Sequence, residues 1–159
     1  GVTSTASSSR SDTASRFILA SARDIYRAML DAESVASWRP PKGMTARIER
    51  FEPREGGGYR MALIYDDPTA AQGKTSARED VVDAVFVELI PYERIVEDVT
   101  FETADPALRG PMRITTTLTP AQQGTKVTYL VENVPPGISP EDHQTGMDST
   151  LKNLAAFIE

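Results

Sequence analysis

Residues 139–158 read SPEDHQTGMDSTLKNLAAFI, and the fold follows from what this stretch must pack against. Ser139 is a helix N-cap, because its hydroxyl can accept from a backbone N–H that the first turn leaves unpaired. Pro140 follows at the first helical position, where a missing N–H costs nothing. Glu141 and Asp142 then set negative charge against the positive end of the helix dipole. Met147, Leu151, Leu154 and Ile158 are spaced 4, 3 and 4, which makes one apolar stripe on a helix long enough to lie across a sheet.

The sheet is upstream. Pro135-Pro136-Gly137 separates the helix from six extended segments: Thr45–Phe51, Tyr59–Tyr65, Thr75–Ile90, Arg94–Glu102, Met112–Thr119 and Thr125–Val131. Tyr59–Tyr65 and Arg94–Glu102 alternate in polarity with period two, as half-buried strands do, and the others read as extended. The turns between them are mostly short: Pro53 to Gly58, Pro91-Tyr92-Glu93, and Gln123-Gly124. Short connections make neighbouring strands antiparallel. Ahead of these, Ser21 caps a helix over Ala22–Leu30 and Asp31 caps a second through Trp38, which Pro40 and Pro41 stop. Phe17-Ile18-Leu19 reads as a first short strand. Residues 1–15 are small and polar, too poor in apolar surface to offset the entropy of ordering, and read as a flexible tail. Residues 16–159 form one domain of the α+β class: a curved antiparallel sheet of about seven strands wrapped on a long C-terminal helix, with two short helices after the first strand.

Composition removes several functions. The net charge of −6 provides no basic face for nucleic acid. Zero cysteines exclude disulfides, thiolate metal sites and cysteine nucleophiles, and suit a reducing cytoplasm. One histidine, His143, excludes a multi-histidine metal site. No apolar run approaches the ~18 residues of a spanning helix, and no secretory leader is visible. Gly73-Lys74-Thr75 is not a phosphate loop, because Pro68 stands where the motif needs glycine and a strand follows where it needs a helix. Asp66-Asp67 is a turn pair without a third metal ligand at a suitable spacing, and Arg78-Glu79-Asp80 reads as a solvated charge run.

A strongly curved sheet gripping a single helix leaves a gap, because the helix cannot fill the whole concavity. Such a gap is a natural small-molecule site. Period-two reading places Tyr59, Met61, Leu63 and Tyr65 on one face of their strand, and assigns Val85 and Val87 the same inward direction. Glu97 shares a strand face with Val99 and Phe101, and points inward with them. Ile114 and Thr116 join from the next strand, and Tyr129 from the one after. His143, Met147 and Leu151 face them from the helix, while Trp38 and Met44 border the open end. Of these, Glu97 and His143 are the groups capable of acid–base chemistry if the protein is an enzyme. The opposite face, with Ile64, Val82 and Phe86, is the surface on which a homodimer would form.

The order of elements, with Trp38-Arg39-Pro40-Pro41-Lys42-Gly43-Met44, Phe51-Glu52-Pro53-Arg54-Glu55-Gly56-Gly57-Gly58-Tyr59-Arg60-Met61, Val87 to Val96, Gly124 to Thr128 and Gly146-Met147, resembles the START-like superfamily, also called SRPBCC or Bet v 1-like. Within it the chain is most similar to the branch of the activator of heat shock protein 90 ATPase. The resemblance implies the helix-grip fold. It departs from that branch at Met147, where tryptophan is common, and the smaller, flexible side chain leaves more room in the cavity. The superfamily contains ligand carriers, polyketide cyclases and chaperone activators, so the fold does not decide the activity. On this fold the leading expectation is binding of a small hydrophobic or amphipathic molecule between sheet and helix, with no cofactor expected and with metal, nucleic acid and membrane insertion set aside on the composition given above. The alternatives are a polyketide cyclase or dehydratase and a chaperone-activating module. The last is the least favoured, because in the family it usually accompanies an additional domain.

Overall fold

The structure, a computed structural model, describes residues 10–67, 69 and 73–159. Strand β1 (Asp12–Ile18) leads into helices α1 (Ala22–Met29) and α2 (Ala32–Trp38). Six strands follow: β2 (Met44–Glu52), β3 (Gly58–Tyr65), β4 (Glu79–Ile90), β5 (Arg94–Phe101), β6 (Met112–Ala121) and β7 (Gly124–Glu132). Helix α3 (Pro140–Ile158) ends the chain. The strands pair antiparallel in the order β1-β7-β6-β5-β4-β3-β2. β1 and β2, adjacent in sequence apart from the helix pair, therefore form opposite edges of the sheet.

Local chemistry sets the helix starts as the capping residues predict. Ser21, Asp31 and Ser139 each accept a hydrogen bond from the N–H three residues on, at Asp24, Ser34 and Asp142. Met147, Leu151 and Leu154 of α3 are buried against the concave face of the sheet. Asn153 Nδ2 donates to the Pro40 carbonyl at 2.8 Å, which ties α3 to the segment after α2. Trp38 Nε1 donates to the Ala28 carbonyl at 3.0 Å, which locks the two short helices together. Between β2 and β3 the chain reverses at Gly56, whose φ of +82° is a conformation that glycine adopts without strain. Gly58 is required for a different reason: a Cβ there would lie 1.8 Å from the Ala84 carbonyl oxygen of β4.

Four expectations need correction. The first strand begins at Asp12, so the ordered domain includes residues assigned above to the tail; residues 1–9 lie outside the described residues. The inward face of β4 is Val82, Ala84 and Phe86, not Val85 and Val87, which are 50% and 41% exposed on the convex side. The physical reason is a bulge: Phe86 pairs with Glu97 but Glu88 with Val96, so Val87 is the extra residue. Leu89 does face the core, and counting back from it by twos crosses the bulge and inverts the phase. The same inversion removes the dimer surface, because Val82 and Phe86 are core residues. Asp80, finally, is buried rather than solvated, and is held by the Lys74 backbone N–H at 2.6 Å and by Lys74 Nζ at 3.2 Å.

Candidate functional site

Between the concave face and α3 lies a cavity of about 270 Å³. The apolar part of its wall comes from Met29 of α1, Met44 of β2, Leu63 of β3, Phe101 of β5, Met112 and Ile114 of β6, Val131 of β7, and Met147 of α3. Pro41 and Ile138 close it from the connecting segments, and Gly146 and Thr150 add the rest of the α3 face. Ligand pockets commonly span about 300–1,000 Å³, so this one is sized for a small occupant.

Of the residues expected to face it, Met44, Leu63, Glu97, Phe101, Ile114, Tyr129, His143 and Met147 line the wall. Trp38, Tyr59, Met61, Val99, Thr116 and Leu151 are buried one layer behind, as packing. Tyr65 is half-buried on β3 and lies off the lining. Val85 and Val87 are outside altogether, for the reason given above.

Three polar groups interrupt the apolar wall: an inner one on Glu97, an outer one on His143, and the Lys74–Asp80 ion pair at 3.2 Å, with Asp142 adding a further carboxyl from the first turn of α3. The inner one is built on Glu97, only 3% exposed on β5. Its Oε1 accepts from the Tyr59 hydroxyl at 2.5 Å, and that hydroxyl accepts in turn from Arg39 Nη1 at 3.1 Å. Tyr59 is itself wedged between Phe51, stacked at a centroid distance of 5.7 Å, and Phe86, also at 5.7 Å. The Arg39 guanidinium lies 4.8 Å over the Trp38 ring, which holds the charge in place from beneath. Burial pulls against the Arg39 charge, but Tyr59, Glu97 and Tyr129 around it raise its pKa and keep it a cation. Burial raises the Tyr59 phenol above its ordinary range, reinforced by the Glu97 carboxylate and opposed by Arg39. Burial likewise pushes the Tyr129 phenol up to about 12, with Arg39 opposing and Glu97 adding to the effect.

The outer group joins β1 to α3. His143 of α3 and Asp12 of β1 meet at 2.6 Å between Nδ1 and Oδ2, and Arg10 Nη2 donates to the same oxygen at 3.0 Å. Burial pushes the Asp12 carboxyl up, but the hydrogen bonds from His143 and Arg10 outweigh it, and its pKa falls below the ordinary value of 3.8. An ionised carboxylate only accepts, so Nδ1 carries the proton and Nε2 is the free ring nitrogen. Arg10 Nη1 also donates to the Ile138 carbonyl at 2.6 Å, just ahead of the α3 N-cap.

Sequence reasoning missed Arg39, Asp12 and the Lys74–Asp80 pair. Arg39 follows the aromatic end of α2 and precedes two prolines, a position from which its side chain turns back over Trp38. Nothing in the local pattern of Asp12 signals a partner 131 residues away.

The family model described as activator of Hsp90 ATPase homolog 1-like protein matches residues 19–159. Among solved structures, a protein from Chromobacterium violaceum is 31% identical, with 94% of this chain and 96% of its own covered and a TM-score of 0.82. A protein from Rhizobium loti is 25% identical over 94% of this chain and 96% of its own, with a TM-score of 0.70. A protein from Arthrobacter aurescens, solved by NMR, is 17% identical over 93% of this chain and 85% of its own, with a TM-score of 0.73, and shares the fold. The search of curated proteins gives no match. Among the described residues no helix is long and apolar enough to cross a membrane.

Proposed function

The chain belongs to the family of activator of Hsp90 ATPase homolog 1-like proteins, and on that fold we propose that it holds a small hydrophobic or amphipathic molecule between its sheet and α3. The observation that carries this reading is the cavity of about 270 Å³, whose mostly apolar wall is interrupted by polar groups at Arg39–Glu97, Lys74–Asp80 and His143. An apolar body packed on Met29, Met44, Leu63, Phe101 and Met147 loses water-exposed surface, at about 25 cal/mol per Å². The polar groups orient it.

Saturable binding of the uncharged fluorophore N-phenyl-α-naphthylamine to the native protein tests the reading. One site per chain is expected, weakened in Met147→Trp, where the larger ring occupies part of the space. A Met147→Trp protein that folds normally and binds the fluorophore equally well removes the basis for a ligand in this cavity.

A second reading, a cyclase or dehydratase, draws on one observation. Glu97 and His143 line the same cavity, and Asp12 fixes the tautomer that leaves His143 Nε2 free to take a proton.

A further inference from the structure

The inner polar group has hydrogen-bonding capacity that the protein does not use. Arg39 donates through Nη1 to Tyr59, and its Nη2 donates to nothing among the described residues; Nε, also without a partner among them, is covered by protein and is not offered to the cavity. Glu97 accepts at Oε1, while Oε2 has no partner among the described residues. Neither side chain is ion-paired with the other directly: Tyr59 stands between them. Its hydroxyl accepts from the cation and donates to the carboxylate, which only a group that is both donor and acceptor can do.

We propose that the cavity's occupant carries an uncharged hydroxyl, alcohol or phenol, which seats between Arg39 and Glu97 in parallel with the Tyr59 hydroxyl. The inference rests on the proposed binding of a small molecule in this cavity. It adds the chemistry of the head group. A carboxylate or phosphate head is excluded by its neighbour: it gains Arg39 but is forced against the Glu97 carboxylate in a site that water screens poorly. An ammonium head meets the converse conflict with Arg39. A ketone or ether satisfies Arg39 and leaves Glu97 Oε2 unpaired. A hydroxyl satisfies both, and a site built for a hydroxyl penalises analogues that lack it. Tyr129, whose phenol is held neutral beside the same two charges, adds a third polar contact on the β7 side.

Calorimetric titration of the native protein with four compounds on one ring frame tests this: naphthalene, β-naphthyl methyl ether, β-naphthol and β-naphthoate. β-Naphthol is expected to bind about tenfold or more tightly than the ether and naphthalene, the gain of a hydrogen bond to a charged partner. β-Naphthoate is expected to bind weakest. β-Naphthalenemethanol, carrying the same hydroxyl on an alcohol carbon, separates a phenol site from an alcohol site. In Glu97→Gln the order shifts: β-naphthol loses most of its advantage and β-naphthoate gains affinity, because the repelling charge is gone. If β-naphthoate binds tightest to the native protein, the cavity selects an anion, at Arg39 or at Lys74, and the proposal is wrong. Equal binding of all the uncharged compounds overturns the hydroxyl assignment but leaves the apolar cavity as a binding site. No binding by any of them overturns both. The comparison on the native protein stands without the variant, should Glu97→Gln fail to fold.

Discussion

Asp12 on β1 and His143 on α3 are joined at 2.6 Å, so the first described strand and the last helix close on each other at the mouth of the cavity. Arg10 completes the closure by donating to both Asp12 and the Ile138 carbonyl. The contact therefore does two things at once: it holds the edge of the sheet to the helix, and it keeps a proton on His143 Nδ1.

Asp12→Asn is expected to cost about 1–2 kcal/mol at neutral pH, the loss of a charge-assisted bond between partly buried groups. The pH dependence has a defined sign. Asp12 titrates lower in the folded state than its ordinary 3.8, so its stabilisation is present above that value and is lost as pH falls through the folded-state value. Urea denaturation at pH 7 and pH 3 measures this: the difference between native protein and variant should shrink at the lower pH. A constant difference would mean that the Asp12 charge is not involved.

Leu151→Ala is expected to destabilise by about 2–5 kcal/mol, because Leu151 is fully buried at the centre of the α3 stripe. Chemical denaturation gives the value directly. An unchanged midpoint would show that α3 does not grip the sheet.

Gly146→Ala is expected to stabilise by about 0.5–1 kcal/mol, because alanine is the better helix former. A Cβ at this position meets nothing within 4 Å, so no clash offsets the gain. Thermal denaturation of the variant checks the sign; a loss of stability would mean that α3 is more tightly packed there than the open space indicates.

The element order, the three helix caps and the inward direction of Glu97 were legible because each depends on neighbours within a few residues. The β4 phase was not. A bulge adds one residue without changing the composition of the strand, and Val85, Phe86 and Val87 are all plausible core residues by type. Their exposure is decided by register with β5, which is a long-range property. The cavity was legible as a gap, but its polar chemistry was only half so. Glu97 appeared through its strand neighbours, whereas Arg39, at the C-cap of α2, is brought to Glu97 by the packing of two segments distant in sequence.

The most direct measurement uses the five methionines as reporters. Met29, Met44, Met112 and Met147 line the cavity, while Met61 is buried behind it. In protein labelled at the methionine methyl groups and assigned by single Met→Leu variants, N-phenyl-α-naphthylamine is titrated while the methyl NMR signals are followed. The four cavity methyls are expected to shift together and saturate at one equivalent, with Met61 moving least. Shifts at Met61 alone, or none at the four lining methionines while the fluorophore binds, would contradict a ligand site between the sheet and α3.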